Sequence, residues 1–286
     1  MKKIILTGSA SGFGLLTAKT LVKQGHTVYA TMRNINGANA EPAKALKEWA
    51  KAHNGIIEIV ELDVTSDASV AKAISEITEK SGGHIDVLIN NAGISYIGIA
   101  ETLTIQQTEQ LFQVNVIGPD RMIKAVLPLM HQQKSGLIIN LTSVQARNVG
   151  PLLATYNSTK AALDALSVGY HYELKSAGID VAVIQPGAYQ TTDITAKALQ
   201  PGNPGAASAY GQDVHRLKAG LDHFFTPTTD SSDPQEVADA VAGLLELPAG
   251  ERPLWTVVGG ATMAQYVQQI NQATKGLVET MIQVLS

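Results

Sequence analysis

The sequence contains no cysteine, so the chain can form no disulfide and offers neither a thiol nucleophile nor a thiolate metal ligand. Its seven histidines are scattered and show neither an HExxH motif nor another ligand spacing, so we expect no metal site. No apolar run is long enough to span a membrane, and the run after Lys2 and Lys3 stops at Thr7, too early for a secretory signal. These absences predict a cytoplasmic protein that does not insert into a membrane.

Charged residues are also sparse, at 16% of the 286 residues. The net charge is −4 and there is no basic patch, which argues against a nucleic-acid partner. Hydrophobic residues make up 45% of the chain, as in an ordinary globular protein. The composition does not separate two halves, and α/β proteins of this length often form one unit. We therefore predict a single domain over residues 1–286.

A glycine-rich loop, TGSASGFG, joins an apolar segment, KIILT, to a helical pattern that runs from about Phe13 to Gln24. Gly8 would permit the tight turn, Gly12 the approach of a phosphate to the backbone, and Gly14 close packing of helix on strand. The positive end of the helix would then face the anion. A plain tight turn is the simpler alternative, but a loop directly after the first strand is where a doubly wound fold binds a dinucleotide.

The end of the second predicted strand, which runs from about Thr27 to Thr31, indicates which dinucleotide would bind. An acidic residue there binds the adenosine ribose hydroxyls, whereas an arginine accommodates a 2′-phosphate. The sequence has Met32 and Arg33 at this place and no carboxylate, and Ser11 of the glycine loop can add a hydroxyl. We therefore expect NADP(H) as the cofactor, with a solvated loop arginine as the alternative interpretation.

Polar residues follow the third and fourth predicted strands, at the edge of the sheet where the ligand crevice of a doubly wound fold lies. Asp63, with Val64 beside it, is placed to meet an adenine or, more simply, to shape a turn. Asn91, Ala92 and Gly93 follow the fourth strand, where they would border the cofactor or form an ordinary turn. We include all five in the expected cofactor site.

Strand and helix patterns alternate six times, which is typical of a parallel sheet covered by helices on both faces. The segment PLWTVVG predicts a further strand, so we expect an α/β fold of the Rossmann type, a doubly wound parallel sheet of about seven strands. The pattern from residue 105 to 133 predicts one long helix with a bend at Pro119. The apolar spacing from Ala261 to Ser286 predicts a helix that packs on the domain or on a partner subunit.

Residues 187–232 form the least regular stretch and are rich in Gly, Pro, Ala and Ser. Long irregular segments inside compact domains are usually lids or binding loops, so we interpret this stretch as a substrate lid. Tyr189, His223, Phe224 and Phe225 are its candidate substrate contacts, although loop aromatics more often fix the loop in place.

Tyr156 and Lys160 are four residues apart in a predicted helix, so their side chains project from one face, and Ser143 would face them from the end of the fifth strand. A tyrosine exchanges protons poorly at neutral pH because its ordinary pKa is about 10. Lowering that pKa to near neutrality takes about 4 kcal/mol, which an ammonium about 4 Å away supplies at an effective dielectric of about 20. A lone pair at this spacing also arises by chance in many proteins.

The chain resembles the short-chain dehydrogenase/reductase family over roughly residues 3 to 195, on the motifs TGSASGFG, Asp63, NNAG, Asn115, Ser143, Tyr156 with Lys160, and Pro186 with Gly187. Phe13 stands where the family usually has isoleucine. The arginine after VYAT is similar to that of NADP(H)-using members, including carbonyl reductases and hydroxysteroid and retinol dehydrogenase-like enzymes. The resemblance places Pro186 and Gly187 in the cofactor site.

The family resemblance implies an enzyme that interconverts a ketone or aldehyde and an alcohol by hydride transfer from or to NADP(H), with a small-molecule substrate and possible homo-oligomers. Tyr156 would protonate the developing alkoxide, or deprotonate the alcohol in reverse, while Ser143 would hydrogen-bond the carbonyl oxygen. Lys160 would lower the tyrosine pKa and bind the nicotinamide ribose. Asn115 would hold a water that links Lys160 to solvent, and Thr191 would contact the nicotinamide amide or the phosphates.

Two other functions remain open at the level of sequence. An idle dinucleotide-binding module, acting as a redox sensor or scaffold, needs the glycine loop, but nothing requires it to keep Ser143, Tyr156 and Lys160. An epimerase or dehydratase with a retained cofactor would use the same fold, but the short C-terminal portion leaves little room for a sugar-nucleotide domain.

Overall fold

The computed structural model of the chain describes residues 1–192, 194, 197–226, 228 and 231–285, apart from the side chains of residues 261 and 262. Its central sheet consists of β1 (Lys3–Thr7), β2 (Thr27–Met32), β3 (Ile56–Glu61), β4 (Val87–Asn90), β5 (Gly136–Leu141), β6 (Ile179–Pro186) and β7 (Trp255–Val258). These strands lie in the order β3-β2-β1-β4-β5-β6-β7, and every neighbouring pair is parallel. This arrangement confirms the predicted doubly wound parallel sheet.

The strand order creates the crevice that the glycine loop requires. The chain lays β1, β2 and β3 side by side in one direction and then places β4 on the other side of β1. The connections leaving β1 and β4 therefore diverge to opposite sides, and a ligand crevice opens beyond the carboxyl ends of these two strands.

Helices cover both faces of the sheet. They are α1 (Gly12–Lys23), α2 (Ala40–Ala52), α3 (Asp67–Ser81), α4 (Ile105–Phe112), α5 (Gly118–Gln133), α6 (Ala154–Leu174), α7 (Gln212–Phe224), α8 (Gln235–Glu246) and α9 (Ala261–Leu285). Side chains alternate between the faces along each strand, so Ile4 and Leu6 pack towards α1, α2 and α8, whereas Ile5 packs towards α3 and α5. All three are fully buried, and burial of each such side chain contributes about 1.5–3 kcal/mol before ordering costs.

The predicted long helix over residues 105–133 is continuous in the structure, but it is not a regular α-helix throughout. Helix α4 ends at Phe112, a wider π-helical turn follows over Gln113–Ile117, and α5 begins at Gly118. Pro119 is the second residue of α5 and directly follows the π turn, so the predicted irregularity near this proline takes the form of that turn. The π turn holds Asn115, and such turns occur often at functional sites.

The predicted lid, residues 187–232, is more regular than its composition indicates. It contains a short 3₁₀ segment, Pro204–Ala209, and the whole of α7. Most glycines and prolines of the stretch lie outside these elements, although Pro204 and Gly205 are in the 3₁₀ segment and Gly220 is in α7. Composition alone therefore did not reveal the helix. The lid prediction also covers residues 193, 195, 196, 227, 229 and 230, which lie outside the described residues.

The C-terminal helix α9 is anchored on the domain by a buried amide. Asn271 is 5% exposed, donates from Nδ2 to Oε1 of Gln185 on β6 at 2.6 Å, and accepts from Nε of Arg147 at 3.0 Å. Among the described residues, no helix has both the length and the apolar character needed to cross a membrane. The same part of the chain contains no group of three or more metal-binding side chains.

Candidate active site

A cavity of about 460 Å³ lies at the carboxyl edge of the sheet, where the ends of six strands meet the loops that follow them. Its volume is within the range of small-molecule sites. Most of the residues that the sequence motifs single out line it: Gly8, Ser11, Gly12, Phe13, Arg33, Asp63, Val64, Asn91, Ala92, Gly93, Ser143, Tyr156, Lys160, Pro186 and Gly187. Gly14, Asn115 and Thr191 do not line the cavity.

The glycine loop is shaped by close approaches that side chains would prevent. Gly8 has φ +70°, and a Cβ built on it would lie 2.8 Å from the Cα of Ala92. A Cβ on Gly14 would collide with the carbonyl oxygen of Gly8 and lie 2.6 Å from Nδ2 of Asn91, an amide that also donates to that carbonyl at 2.9 Å. Gly12 lines the cavity with φ +53°. Gly8 and Gly14 therefore set the packing of the loop, and Gly12 gives a ligand access to its backbone.

The far end of the cavity carries an arginine, an aspartate and an isolated hydroxyl. Arg33 lines this end, and its carbonyl accepts from Nδ2 of Asn39 at 2.5 Å. Asp63 lines it too, while its Oδ1 accepts from the backbone amide of Thr65 at 2.9 Å and from the Thr65 hydroxyl at 2.7 Å, so the simpler turn-forming role is present. The buried Thr31 hydroxyl has no hydrogen-bond partner within the described part of the chain.

Ser143, Tyr156 and Lys160 meet at the opposite end of the cavity. The first helical residues of α6 carry the tyrosine and lysine, and β5 ends two residues before the serine. Ser143 is 8% exposed, and its Oγ donates to the carbonyl of Pro186 at 3.4 Å. Lys160 is 7% exposed, and its Nζ donates to the carbonyl of Leu141 at 3.0 Å. The structure thus brings the predicted reactive side chains together on one wall.

In this structure burial, and not Lys160, has the largest effect on the pKa of Tyr156. Burial raises the pKa of Tyr156 to about 12, and a hydrogen bond with the Ser143 hydroxyl offsets only part of this rise. Burial also lowers the pKa of Lys160 to about 8, so the ammonium is still mostly protonated at neutral pH. Its Nζ donates to the Leu141 carbonyl and lies 5.8 Å from the centre of the tyrosine ring.

Asn115 lies outside the cavity and holds two of its neighbouring segments together by hydrogen bonds. It is fully buried, its Oδ1 accepts from the amide of Ile94 at 2.9 Å, and its Nδ2 donates to the carbonyl of Ile94 at 2.8 Å and to Oγ1 of Thr159 at 3.1 Å. A Cβ built on Gly93 would lie 3.4 Å from Oδ1 of Asn115 and 3.8 Å from Nζ of Lys160. Asn115 and Lys160 are therefore near neighbours on either side of this glycine.

Thr192, and not the expected Thr191, reaches the cavity. Thr191 is exposed, whereas Thr192 is 9% exposed and lines the cavity wall. The amide and the hydroxyl of Thr192 both donate to the carbonyl of Tyr189, at 3.2 and 2.8 Å. This turn directs the second threonine inwards, a choice that the spacing from Gly187 does not reveal.

The lid contributes Lys197 to the cavity, a residue that the sequence interpretation missed. Its Nζ lies 2.8 Å from Oγ of Ser11 in the glycine loop. Of the four candidate aromatics, Tyr189 and Phe225 line the cavity and His223 and Phe224 do not. The only sequence signal for Lys197 is a cation within the predicted lid, because its partner is 186 positions away.

Comparisons with known proteins identify relatives over most of the chain. The family model described as short chain dehydrogenase matches residues 2–202. An uncharacterized oxidoreductase, YusZ of Bacillus subtilis, is 38% identical over 248 residues, which cover 84% of this chain and 83% of YusZ. A 3-ketodihydrosphingosine reductase of Bacteroides thetaiotaomicron is 34% identical over 188 residues, which cover 66% of this chain and 64% of that protein.

Solved structures share the fold over almost the full length. A short-chain dehydrogenase from Streptomyces avermitilis superposes with a TM-score of 0.75 and 27% identity, covering 99% of this chain and 97% of that one. An alcohol dehydrogenase from Thermococcus sibiricus, complexed with 5-hydroxy-NADP, gives a TM-score of 0.72 and 24% identity, covering 91% and 97%. At 24% identity, the similarity to the Thermococcus sibiricus enzyme shows a shared fold and nothing more.

Proposed function

The chain belongs to the short chain dehydrogenase family and is an oxidoreductase, and we propose that it interconverts a ketone or aldehyde and the corresponding alcohol with NADP(H). The observation that carries the proposal is the convergence of Ser143, Tyr156 and Lys160 on a cavity that also contains the glycine loop. A protein that only bound a dinucleotide would have no use for this convergence. The 3-ketodihydrosphingosine reductase among its relatives is named for reduction of a ketone, which supports the same reaction class.

The cavity residues fit a nicotinamide dinucleotide. Gly12 leaves the backbone accessible at the N-terminus of α1, where the amides and the helix dipole favour a phosphate. The unpartnered hydroxyl of Thr31 offers a hydrogen bond at one end of the cavity, and the Lys160 ammonium offers another at the other end. Bound NADP(H) would supply the hydride for reduction or accept it in oxidation.

The charges near β2 support the 2′-phosphorylated form of the cofactor. Arg33 lines the cavity directly after β2. Glu61 is paired with Met32 in the sheet register, but its carboxylate accepts from the backbone amides of Asn34 and Ile35 at 2.7 and 2.8 Å. That carboxylate shapes the loop and does not line the cavity, so the cation is the group placed to meet the adenosine ribose.

Ser143 and Tyr156 provide the two donors that a carbonyl oxygen needs during reduction. Both residues line the same end of the cavity, and the Ser143 hydroxyl is close enough to lower the pKa of Tyr156, so one oxygen atom placed between them could accept from both. A pKa of about 12 keeps Tyr156 protonated at neutral pH and therefore ready to protonate the developing alkoxide. Oxidation would instead require the phenolate as the proton acceptor.

Lys160 and Asn115 would act once Tyr156 has given up its proton: Lys160 stabilises the phenolate, and Asn115 helps to form the route by which a new proton arrives. The Lys160 ammonium is the nearest cation on the same helix face and stabilises a phenolate that forms at Tyr156. Asn115 holds the Ile94 segment and the π turn together beside the lysine, so it fixes the back of the cavity. We propose that a water behind Gly93 connects Lys160 to solvent.

The substitution Tyr156→Phe tests the proposed reaction. We expect kcat for reduction of a panel of ketones and aldehydes with NADPH to fall by about 10²- to 10⁴-fold, because the variant loses its proton donor. NADPH binding, followed by fluorescence, should be retained. Tyr170→Phe is the matched control, since that hydroxyl donates to Asp120 outside the cavity. Equal activity of Tyr156→Phe and wild type would overturn the mechanism, and NADPH binding without turnover of any carbonyl would favour a redox-sensing module.

A further inference from the structure

A second cavity of about 540 Å³ adjoins the active-site cavity under the lid. Residues 96–99 after β4, the segment 198–207 and one face of α7 form its walls. Ile97 and Phe225 line both cavities, so these two half-buried side chains form the partition between them. The second cavity is thus reached from the reactive residues by passing two apolar side chains.

Hydrogen bonds between distant segments hold the fixed wall of the second cavity in place. The amide of Leu199 donates to the carbonyl of Ser95 at 2.9 Å. Nε2 of Gln107, on α4, donates to the carbonyl of Gln200 at 2.7 Å, and its Oε1 accepts from the amide of Gly202 at 2.9 Å. The lid segment is therefore fastened to the loop after β4, and the cavity is part of the fold.

The cover of the cavity, α7, is attached more lightly. No residue of α7 is buried. Its C-terminal carbonyl, on Phe224, accepts from Nε2 of Gln190 at 3.2 Å. Because little apolar surface is buried beneath the helix, displacing it costs little of the free energy that apolar burial provides. A long ligand can thus enter beneath α7 while the opposite wall stays in place.

The interior surface of the second cavity is mainly apolar. Its walls include Ile97, Ile99, Leu199, Pro201, Pro204 and Phe225. The cavity is also bordered by the His215 imidazole and by polar groups that already have partners. Nζ of Lys218 contacts both carboxylate oxygens of Asp222 at 2.6 Å, and Oγ1 of Thr102 donates to the carbonyl of Ile99 at 2.6 Å. A chain of methylenes fits such walls because it removes apolar surface from water and leaves these polar pairs intact.

We propose that the second cavity binds the aliphatic tail of the substrate while the carbonyl or alcohol group lies at Ser143 and Tyr156. The proposal rests on the proposed carbonyl reduction and adds a substrate class to it, namely long-chain ketones and the matching alcohols. The tail passes between Ile97 and Phe225, and α7 closes over its far end. Small carbonyl compounds occupy the first cavity alone.

The test is the dependence of kcat/KM on tail length for a series of straight-chain methyl ketones with NADPH. Once the tail passes the partition, each added methylene should raise kcat/KM by about fourfold, until the second cavity is filled. A profile that stays flat or falls from the shortest ketone onwards, with the short ketones still reduced, would overturn the tail site and leave the proposed reaction standing. No turnover of any ketone would instead overturn the reaction and, with it, the tail site.

Ala207→Trp provides the independent check, since Ala207 lines only the second cavity. We expect this variant to lose the gain from tail length and to reduce short ketones as wild type does. Ala209→Trp is the control, because Ala209 lies in the same 3₁₀ segment, is exposed and does not line the cavity. An Ala207→Trp enzyme that keeps the full wild-type preference for long ketones would overturn the proposal.

Discussion

The framework that carries the reactive residues and the lid that covers them are held in different ways. Asn115, Ser143 and Lys160 are at most 8% exposed and lie on elements that pack against the sheet. Helix α7 of the lid buries no residue, and the segment before it is held mainly by hydrogen bonds to the loop after β4. We therefore propose that the framework determines the reaction, whereas the lid segment selects the substrate.

The largest change in kcat/KM that tests this division of roles between framework and lid is expected at Ser143. Ser143→Ala removes one of the two donors to the carbonyl oxygen, so kcat/KM should fall by about 100- to 1,000-fold. Because the framework acts on the reacting group, the loss should be the same for short and long ketones. Ser158→Ala is the control, since the Ser158 hydroxyl donates to the carbonyl of Ala154 on the exposed side of α6. A loss confined to one tail length would contradict the separation of roles.

The buried ammonium of Lys160 gives a pH signature that belongs to the framework alone. Its pKa is lowered to about 8 from an ordinary value of 10.5, so the folded state releases this proton at lower pH than the unfolded state does. The unfolded state then binds more protons between these values, and stability rises with pH across that window. Relative to Lys160→Met, wild type should gain up to about 3 kcal/mol of unfolding free energy there.

Urea unfolding of both proteins at several pH values measures this gain. Lys72→Met, at an exposed position of α3, corrects for the general effect of removing a positive charge. A difference between wild type and Lys160→Met that is constant from below pH 8 to above pH 10.5 would show that the lysine is not buried as a charge.

The same contrast explains how much the sequence could predict. The glycine loop, the strand ends and the pair of Tyr156 and Lys160 depend on local spacing, and the predicted sheet with its cavity lining is found in the structure. The π turn around Asn115 and the high pKa of Tyr156 depend on what surrounds each group after folding. The spacing of residues along the chain does not predict the burial that keeps the Tyr156 phenol protonated.

The helix in the lid could have been predicted, because Val214, Leu217, Leu221 and Phe224 recur at helical spacing along α7. The Gly- and Pro-rich segments beside α7 drew attention away from this pattern. The inward turn that selects Thr192 over Thr191 depends on the Tyr189 carbonyl. Contacts such as Lys197 with Ser11 join residues too far apart in the chain for any local pattern.

Arg33 tests whether the framework also sets cofactor choice. Arg33→Ala should raise the Kd for NADPH by roughly 10- to 100-fold, because a phosphate would lose a charged, forked hydrogen-bond donor. The Kd for NADH should change little. Arg33→Lys keeps the charge but loses the fork, so its affinity for NADPH should lie between those of wild type and Arg33→Ala. Titration of cofactor fluorescence measures all three, and equal losses for NADPH and NADH would overturn the 2′-phosphate assignment.

Lys197 lies at the boundary between the framework and the lid, because it belongs to the lid but its Nζ contacts Oγ of Ser11 in the glycine loop at 2.8 Å. The smallest of the expected effects tests on which side it acts. If it contacts a bound phosphate, Lys197→Ala should raise the Kd for both NADPH and NADH by about fivefold or less, as expected for an exposed charge. The effect should shrink as salt is added, since the charge is solvent-screened. Lys175→Ala, at an exposed site outside the cavity, is the control. A Lys197→Ala variant with unchanged cofactor affinity but altered preference among ketones would place this lysine with the substrate-selecting lid.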